Sequence, residues 1–110
     1  MTVFVELNPR FVYITCASPE EANAIGKSLV EERLAACANI IPGMTSWYRW
    51  NDKIENGEET ILILKSSAEL ADEVIRRVKE LHSYEVPCIV FLPILEGNPD
   101  YLEWMRSSLK

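Results

Sequence analysis

The stretch "AACANIIPGMTSWYRW", residues 35–50, decides how this chain folds. "AACANII" (35–41) reads as a strand, broken by Pro42-Gly43 and resumed as "MTSWYRW" (44–50). Proline has no N–H to give to a central ladder. The break therefore predicts a bulge or bend in one long strand at a sheet edge. "NDKIENGEE" (51–59) carries turn signals at Asn51-Asp52 and Asn56-Gly57, and "TILILK" (60–65) reads as the returning arm of a hairpin.

Upstream, "RFVYITC" (10–16) is an apolar, β-branched and aromatic run of strand length. At "ASPEE" (17–21) Ser18 can cap a helix, Pro19 suits its first position and Glu21 completes a capping box. Ala22, Ile25, Leu29 and Val30 then recur at helical spacing and predict one buried face. Downstream of the hairpin, Ser66 and Glu69 read as a second capping box. Leu70, Val74, Val78 and Leu81 form the stripe of a second helix. Pro87 stops that helix, and "CIVFLPI" (88–94) reads as a fourth strand. A short third helix has Asn98 as cap, Pro99 at its first position, and Tyr101, Leu102, Trp104 and Met105 as contact residues.

The order is β-α-β-β-α-β-α. Its first six elements match the split βαβ, or ferredoxin-like, pattern of the α+β class: an antiparallel sheet ordered 4-1-3-2 with both helices on one face. The other face is left bare, which predicts that a second subunit covers it, because large exposed apolar patches are rare on monomers. All 110 residues form one domain, with residues 1–9 left as a tail or an added strand.

Composition narrows the function classes. The net charge is −6, with 17 acidic against 11 basic residues, and the longest basic run is Arg76-Arg77. Nucleic acid and anionic membranes are poor partners for such a surface, since phosphate binding draws on concentrated positive charge. No apolar run approaches the ~20 residues that span a bilayer. The amino end lacks the basic n-region of a signal peptide, so a cytoplasmic location is expected. Three cysteines without a C-x-x-C pair predict free thiols, with no disulfide framework.

The expected topology gathers the soft ligands. Strands 1 and 4 are antiparallel neighbours, which sets Cys16 at the end of one beside Cys88 at the start of the other, roughly 5 Å apart between backbones. His82, the one histidine, ends the second helix above the same rim. Cys37 is expected at that rim too, roughly 10 Å from Cys16. Each has a structural reading beside the metal-ligating one. Cysteine is a common core residue, Cys37 above all, and a histidine at a helix C-terminus complements the helix dipole. Thiolate with imidazole would favour copper or zinc over magnesium or calcium.

The chain resembles the CutA family of divalent-cation tolerance proteins. The resemblance runs from about Val12 to Leu109. It rests on "EERLAACANIIPG" (31–43), on "SWYRW" with Lys53 (an S-x-Y-x-W-x-x-K run), on Lys65 after the third strand, on "LHSYEVP" (81–87) and on "GNPDYLEW" (97–104). It implies ferredoxin-like subunits assembled as a tight homotrimer, similar to the PII signalling proteins, with Trp47, Tyr48 and Trp50 as interface packing. It also implies copper tolerance, with a copper site at a cysteine ending strand 1 and a histidine pair ending the second helix. Cys16 matches the first, and His82 matches one of the pair, while Leu81 stands at the other. The family's "VPEI" is "VPCI" here, so Cys88 replaces a glutamate.

The leading expectation is a non-enzymatic trimer that responds to metal ions, binding copper or a similar divalent cation at Cys16, His82 and Cys88, with no organic cofactor. The alternative is a PII-like adaptor whose inter-subunit clefts take a small anion or a partner protein, through Arg33, Trp50, Lys53, Lys65, Tyr84 and Glu85. No G-x-S-x-G, H-E-x-x-H or P-loop is present, and catalytic residues are not expected.

Overall fold

The computed structural model describes residues 7–110. Strand β1 (Pro9–Cys16) leads through Ser18 into α1 (Pro19–Glu31). Strand β2 (Cys37–Trp50) turns back into β3 (Lys53–Ser67). A 3₁₀ turn (Ala68–Leu70) then opens α2 (Ala71–Leu81), followed by β4 (Ile89–Pro93) and α3 (Pro99–Ser108). The four strands form one antiparallel sheet ordered β2-β3-β1-β4, the order expected from the split βαβ pattern. Of the first nine residues, 1–6 lie outside the described part. Pro9 already belongs to β1, and the Asn8 carbonyl accepts from Ala68 N–H at 2.9 Å. Among the described residues no helix is long and apolar enough to cross a membrane.

Alternation along the inner strands makes the core. Val12, Ile14 and Cys16 of β1 and Leu62 and Leu64 of β3 face the same side. They pack with Ala22, Ile25 and Leu29 of α1 and Val74 and Val78 of α2, and all are 0–1% exposed. Val30, expected on the buried stripe, is instead exposed. The buried fourth position is Gly26, whose missing side chain lets α1 approach Ala38 and Leu62. On the opposite face Val90 and Leu92 are each 47% exposed.

The edge strand behaves as its sequence predicts. Its register slips between Ile41 and Met44, where Pro42 and Gly43 together face Thr60, and Gly43 takes a left-handed φ of +82°. Asn51 and Asp52 then close the hairpin with φ of +50° and +61°, as in a type I′ turn. Because that turn suffices, Asn56-Gly57 stays in β3, paired with Trp47 and Ser46. The hairpin outruns its 8- and 5-residue neighbours, and the chain is 59 Å long and 23–25 Å across. Trp47, Tyr48, Trp50 and Ile54 on its outer half are exposed.

One cap departs from expectation. Ser66 does not cap α2; its buried hydroxyl donates to the Leu34 carbonyl at 2.6 Å. Helix α1 ends in a Schellman motif, with Leu34 N–H on Leu29 O at 2.9 Å and Arg33 N–H on Val30 O at 3.1 Å. Arg33 holds the left-handed position usually given to glycine, with φ of +59°. A side chain there costs roughly 1 kcal/mol. Arg33→Gly is therefore expected to raise stability by about 1 kcal/mol, read as a higher urea midpoint at unchanged m-value. A lowered midpoint would show that the guanidinium makes a stabilising contact.

Candidate metal centre

The rim where β1 ends is built from three elements. β1 delivers Cys16, the first turn of α1 delivers Glu21, and the end of α2 delivers His82. Cys16 Sγ, a Glu21 carboxylate oxygen and a His82 ring nitrogen lie within 4.8 Å of one another. Cys16 is held by core packing, and Glu21 and His82 by hydrogen bonds that follow from their local structure. Ser18 caps α1 by accepting from Glu21 N–H at 3.1 Å. The Glu21 carboxylate folds back to accept from Ala17 N–H at 2.8 Å and crosses to accept from Ser83 N–H at 2.6 Å, tying the start of α1 to the end of α2.

The same bonds decide the imidazole's tautomer. His82 Nε2 lies 2.8 Å from the Thr15 carbonyl, which can only accept, so Nε2 carries the proton. Nδ1 then presents its lone pair, 3.6 Å from Glu21 Oε1, and accepts from Tyr84 N–H at 3.1 Å. A ring N–H spent on a backbone carbonyl is the usual outer support of a metal-ligating histidine.

Charge follows from burial. The Cys16 thiol is fully buried, and its pKa is pushed up to about 12 by burial and then by the carboxylates of Glu21 and Glu59. For Glu21, burial works against the carboxylate, but the Ala17 and Ser83 N–H groups outweigh it and hold its pKa below the usual value of 4.5. The donor set is one sulfur, one nitrogen and one oxygen, which suits copper or zinc. At bond lengths of roughly 2.0–2.3 Å such ligands stand about 3.5 Å apart, so closing on an ion takes shifts on the order of 1 Å. It also takes release of the Tyr84 N–H from Nδ1 and loss of the thiol proton, which coordination to a metal enforces.

Cys88 lies just before β4, half-buried, outside this three-residue group. Burial and the Glu59 carboxylate raise its pKa. Glu59 also accepts from the Tyr84 hydroxyl at 2.9 Å. Cys37 is not at this rim. It pairs with Lys65, and Lys65 pairs with Phe11 near the start of β1, about 17 Å along the strand from Cys16. The sequence-based placement erred because β2 runs parallel to β1 within the sheet and so begins where β1 begins. Nor is Cys37 core filling: its sulfur meets Lys65 and Tyr101.

The remaining named residues are spread over one chain. Trp50 and Lys53 flank the hairpin turn, Lys65 lies at the far end of β3, and Arg33 follows α1. Tyr84 and Glu85 lie in the loop before β4. Glu21 is the ligand candidate that sequence reading missed: its capping role accounted for it fully. Its place one turn beyond Cys16, at the rim His82 overhangs, was the available signal.

Residues 10–108 match the model of the CutA1 divalent ion tolerance protein family. The divalent-cation tolerance protein CutA of Thermus thermophilus is 50% identical over 97 residues, covering 88% of this chain and 94% of that one. A solved structure of that organism's protein superposes with a TM-score of 0.91 at 48% identity, covering 93% and 99% of the two chains. The structure of the periplasmic divalent cation tolerance protein CutA of Archaeoglobus fulgidus gives 0.90 at 42% identity, covering 93% and 99%. The chloroplastic CutA 1 of rice is 40% identical over 99 residues, 90% of this chain, and this chain spans only 56% of it. By family model, identity over nearly the full length and shared α+β architecture, the chain belongs to the CutA1 family of divalent ion tolerance proteins.

Proposed function

We propose that this protein is a non-enzymatic member of the divalent-cation tolerance system that binds copper or zinc through Cys16, Glu21 and His82, and that it works as a homotrimer. The observation that supports the reading is the convergence of those three ligand atoms within 4.8 Å, with the imidazole already in the tautomer that leaves Nδ1 unprotonated. The exposed faces at Val90 and Leu92 and along the hairpin at Trp47, Tyr48 and Trp50 support assembly, because a single chain leaves them in water. Glu21 takes the third ligand place in this reading, and Cys88 stays outside it.

Titration of copper and of zinc into chelator-treated protein, followed by mass spectrometry, tests the site. One ion per chain is expected, with Cys16→Ala and His82→Ala each weakening binding by about 100-fold or more, since even outer-shell changes cost 10–100-fold. Binding is also expected to release a proton as the thiol ionises. Affinity unchanged in the Cys16→Ala, His82→Ala double variant would reject the site. A solution mass of about three times 12.6 kDa tests the assembly separately.

A further inference from the structure

Two ligands of the candidate metal centre are shut away from solvent. The side chains of Cys16 and His82 are fully buried within a single chain, and burial of that kind holds in any assembly. The loop between α2 and β4, residues 82–88, occupies the donor atoms. Two successive backbone N–H groups each take one: Ser83 N–H donates to Glu21 Oε1 at 2.6 Å, and Tyr84 N–H donates to His82 Nδ1 at 3.1 Å. Glu21 Oε1 is also the carboxylate oxygen 3.6 Å from Nδ1, so the loop's bonds fall where an ion would bind. A carboxylate oxygen can share its lone pairs between an N–H and an ion, but an imidazole nitrogen has only one to give. The Tyr84 N–H and an ion at Nδ1 therefore exclude each other. Tyr84 is itself fixed by its side chain. Its ring packs against the imidazole, with centroids 4.7 Å apart and planes at 53°, and its hydroxyl donates to Glu59 Oε2 at 2.9 Å. Glu59 precedes Thr60, which pairs with Cys16, so this anchor stands on the strand beside the thiol.

We propose that Tyr84 is a positioning residue that sets the centre's affinity for a divalent cation, holding in place an internal competitor that the ion must displace, with Glu59 as its anchor. The proposal rests on the metal reading given above for Cys16, Glu21 and His82. In the metal-free chain the hydroxyl–carboxylate bond and the ring contact hold the 83–84 peptide with its N–H on Nδ1. When an ion takes that lone pair the peptide turns away, and the Tyr84 side chain is drawn off Glu59. A protein whose binding-competent form is only fractionally populated binds more weakly by that fraction. Weakening the anchor therefore populates the open form and tightens binding without altering any ligand. A tyrosine that merely shaped the site would act with the opposite sign, because its loss would misplace His82 and weaken binding.

Zinc titrated into chelator-treated full-length protein, in competition with a chelating dye, tests the sign. Tyr84→Phe keeps the ring and removes the hydroxyl. It is expected to bind zinc about tenfold more tightly than the unaltered protein, the effect of losing a hydrogen bond to a charged acceptor in the closed form alone. The competing bond is read separately by NMR on nitrogen-15-labelled protein, as the coupling through the N–H···N bond from Tyr84 to His82 Nδ1. That coupling is expected in the metal-free protein and should vanish when diamagnetic zinc binds. Unchanged or weaker zinc binding in Tyr84→Phe would overturn the proposal, as would a coupling that is missing without zinc or persists with it. The coupling is measured on the unaltered protein, so it decides the matter even if Tyr84→Phe fails to fold. Cys16→Ala distinguishes the two ways of failing. Where Cys16→Ala weakens zinc binding the centre stands, and those results remove only the role of Tyr84. Zinc binding that Cys16→Ala leaves unchanged removes the centre and this proposal together.

Discussion

Gly26→Val is expected to lower stability by about 3 kcal/mol, although helix propensity alone favours almost any residue over glycine inside a helix. A Cβ at position 26 would stand 2.9 Å from the Ala38 Cβ and 3.2 Å from Leu62 Cδ1. The first of these neighbours is fixed to the backbone of β2, so relief requires α1 to lift from the sheet. Lifting would loosen Ile25 and Leu29, both buried in the core. Overpacking of this kind typically costs 1–3 kcal/mol, and the two branches of valine place it at the upper end. Gly26→Ala should give a smaller loss, because its gain of roughly 1 kcal/mol in propensity offsets part of the contact. Urea unfolding of both variants measures the difference. A more stable Gly26→Ala would show that α1 can shift away from Ala38 at little cost.

Glu21→Gln should cost the metal-free protein about 2 kcal/mol at neutral pH, because hydrogen bonds to a charged acceptor contribute roughly 1.5–3 kcal/mol and glutamine loses the charge. The carboxylate receives the N–H groups of Ala17 and Ser83 at 2.8 and 2.6 Å. Its pKa in the folded protein is lowered from 4.5. A group with a depressed folded pKa stabilises above its unfolded value and loses that contribution as pH falls through the folded one. The difference between wild type and Glu21→Gln should therefore be constant at neutral pH and shrink as the pH drops below about 4.5. Stability curves of the two proteins measured from pH 7 to pH 3 with a chelator present read this directly. A difference that stays flat through that range would mean the carboxylate's charge contributes nothing to the tie between α1 and α2.

The fold was legible wherever a local rule and the global pattern agreed. Pro42-Gly43 announced an irregular edge strand, Ser18-Pro19 began α1, Asn98-Pro99 began α3, and the order of elements gave the sheet. Reading failed where two local signals competed or one residue served twice. Asn56-Gly57 is a strong turn pair, but Asn51-Asp52 had already reversed the chain and β3 runs through it. Ser66 had cap chemistry, and a tertiary carbonyl from Leu34 took its hydroxyl. At the candidate site Cys16 and His82 followed from topology, because both flank β1 and β4. Cys37 was misplaced by a strand-direction error, and Glu21 was hidden by its own capping bonds. Tyr101 was read as a packing residue of α3. Its hydroxyl contacts with Lys65 and Cys37 depend on how α3 docks, which no periodicity encodes.

The interruption at Pro42 and Gly43 also bears on how the protein avoids sticking to itself. β2 is a 14-residue strand at the rim of the sheet, and its outer part carries exposed Trp47 and Trp50. A long, flat, apolar rim of that kind is a template for aggregation. The bulge divides it into a stretch of five residues before Pro42 and seven after Gly43, with the ladder out of step between them. Pro42 offers no N–H to an incoming strand. A foreign chain could zip along one stretch or the other but not both in a single register. The kink that shapes the hairpin thus also caps the length of any amyloid-like pairing along this edge.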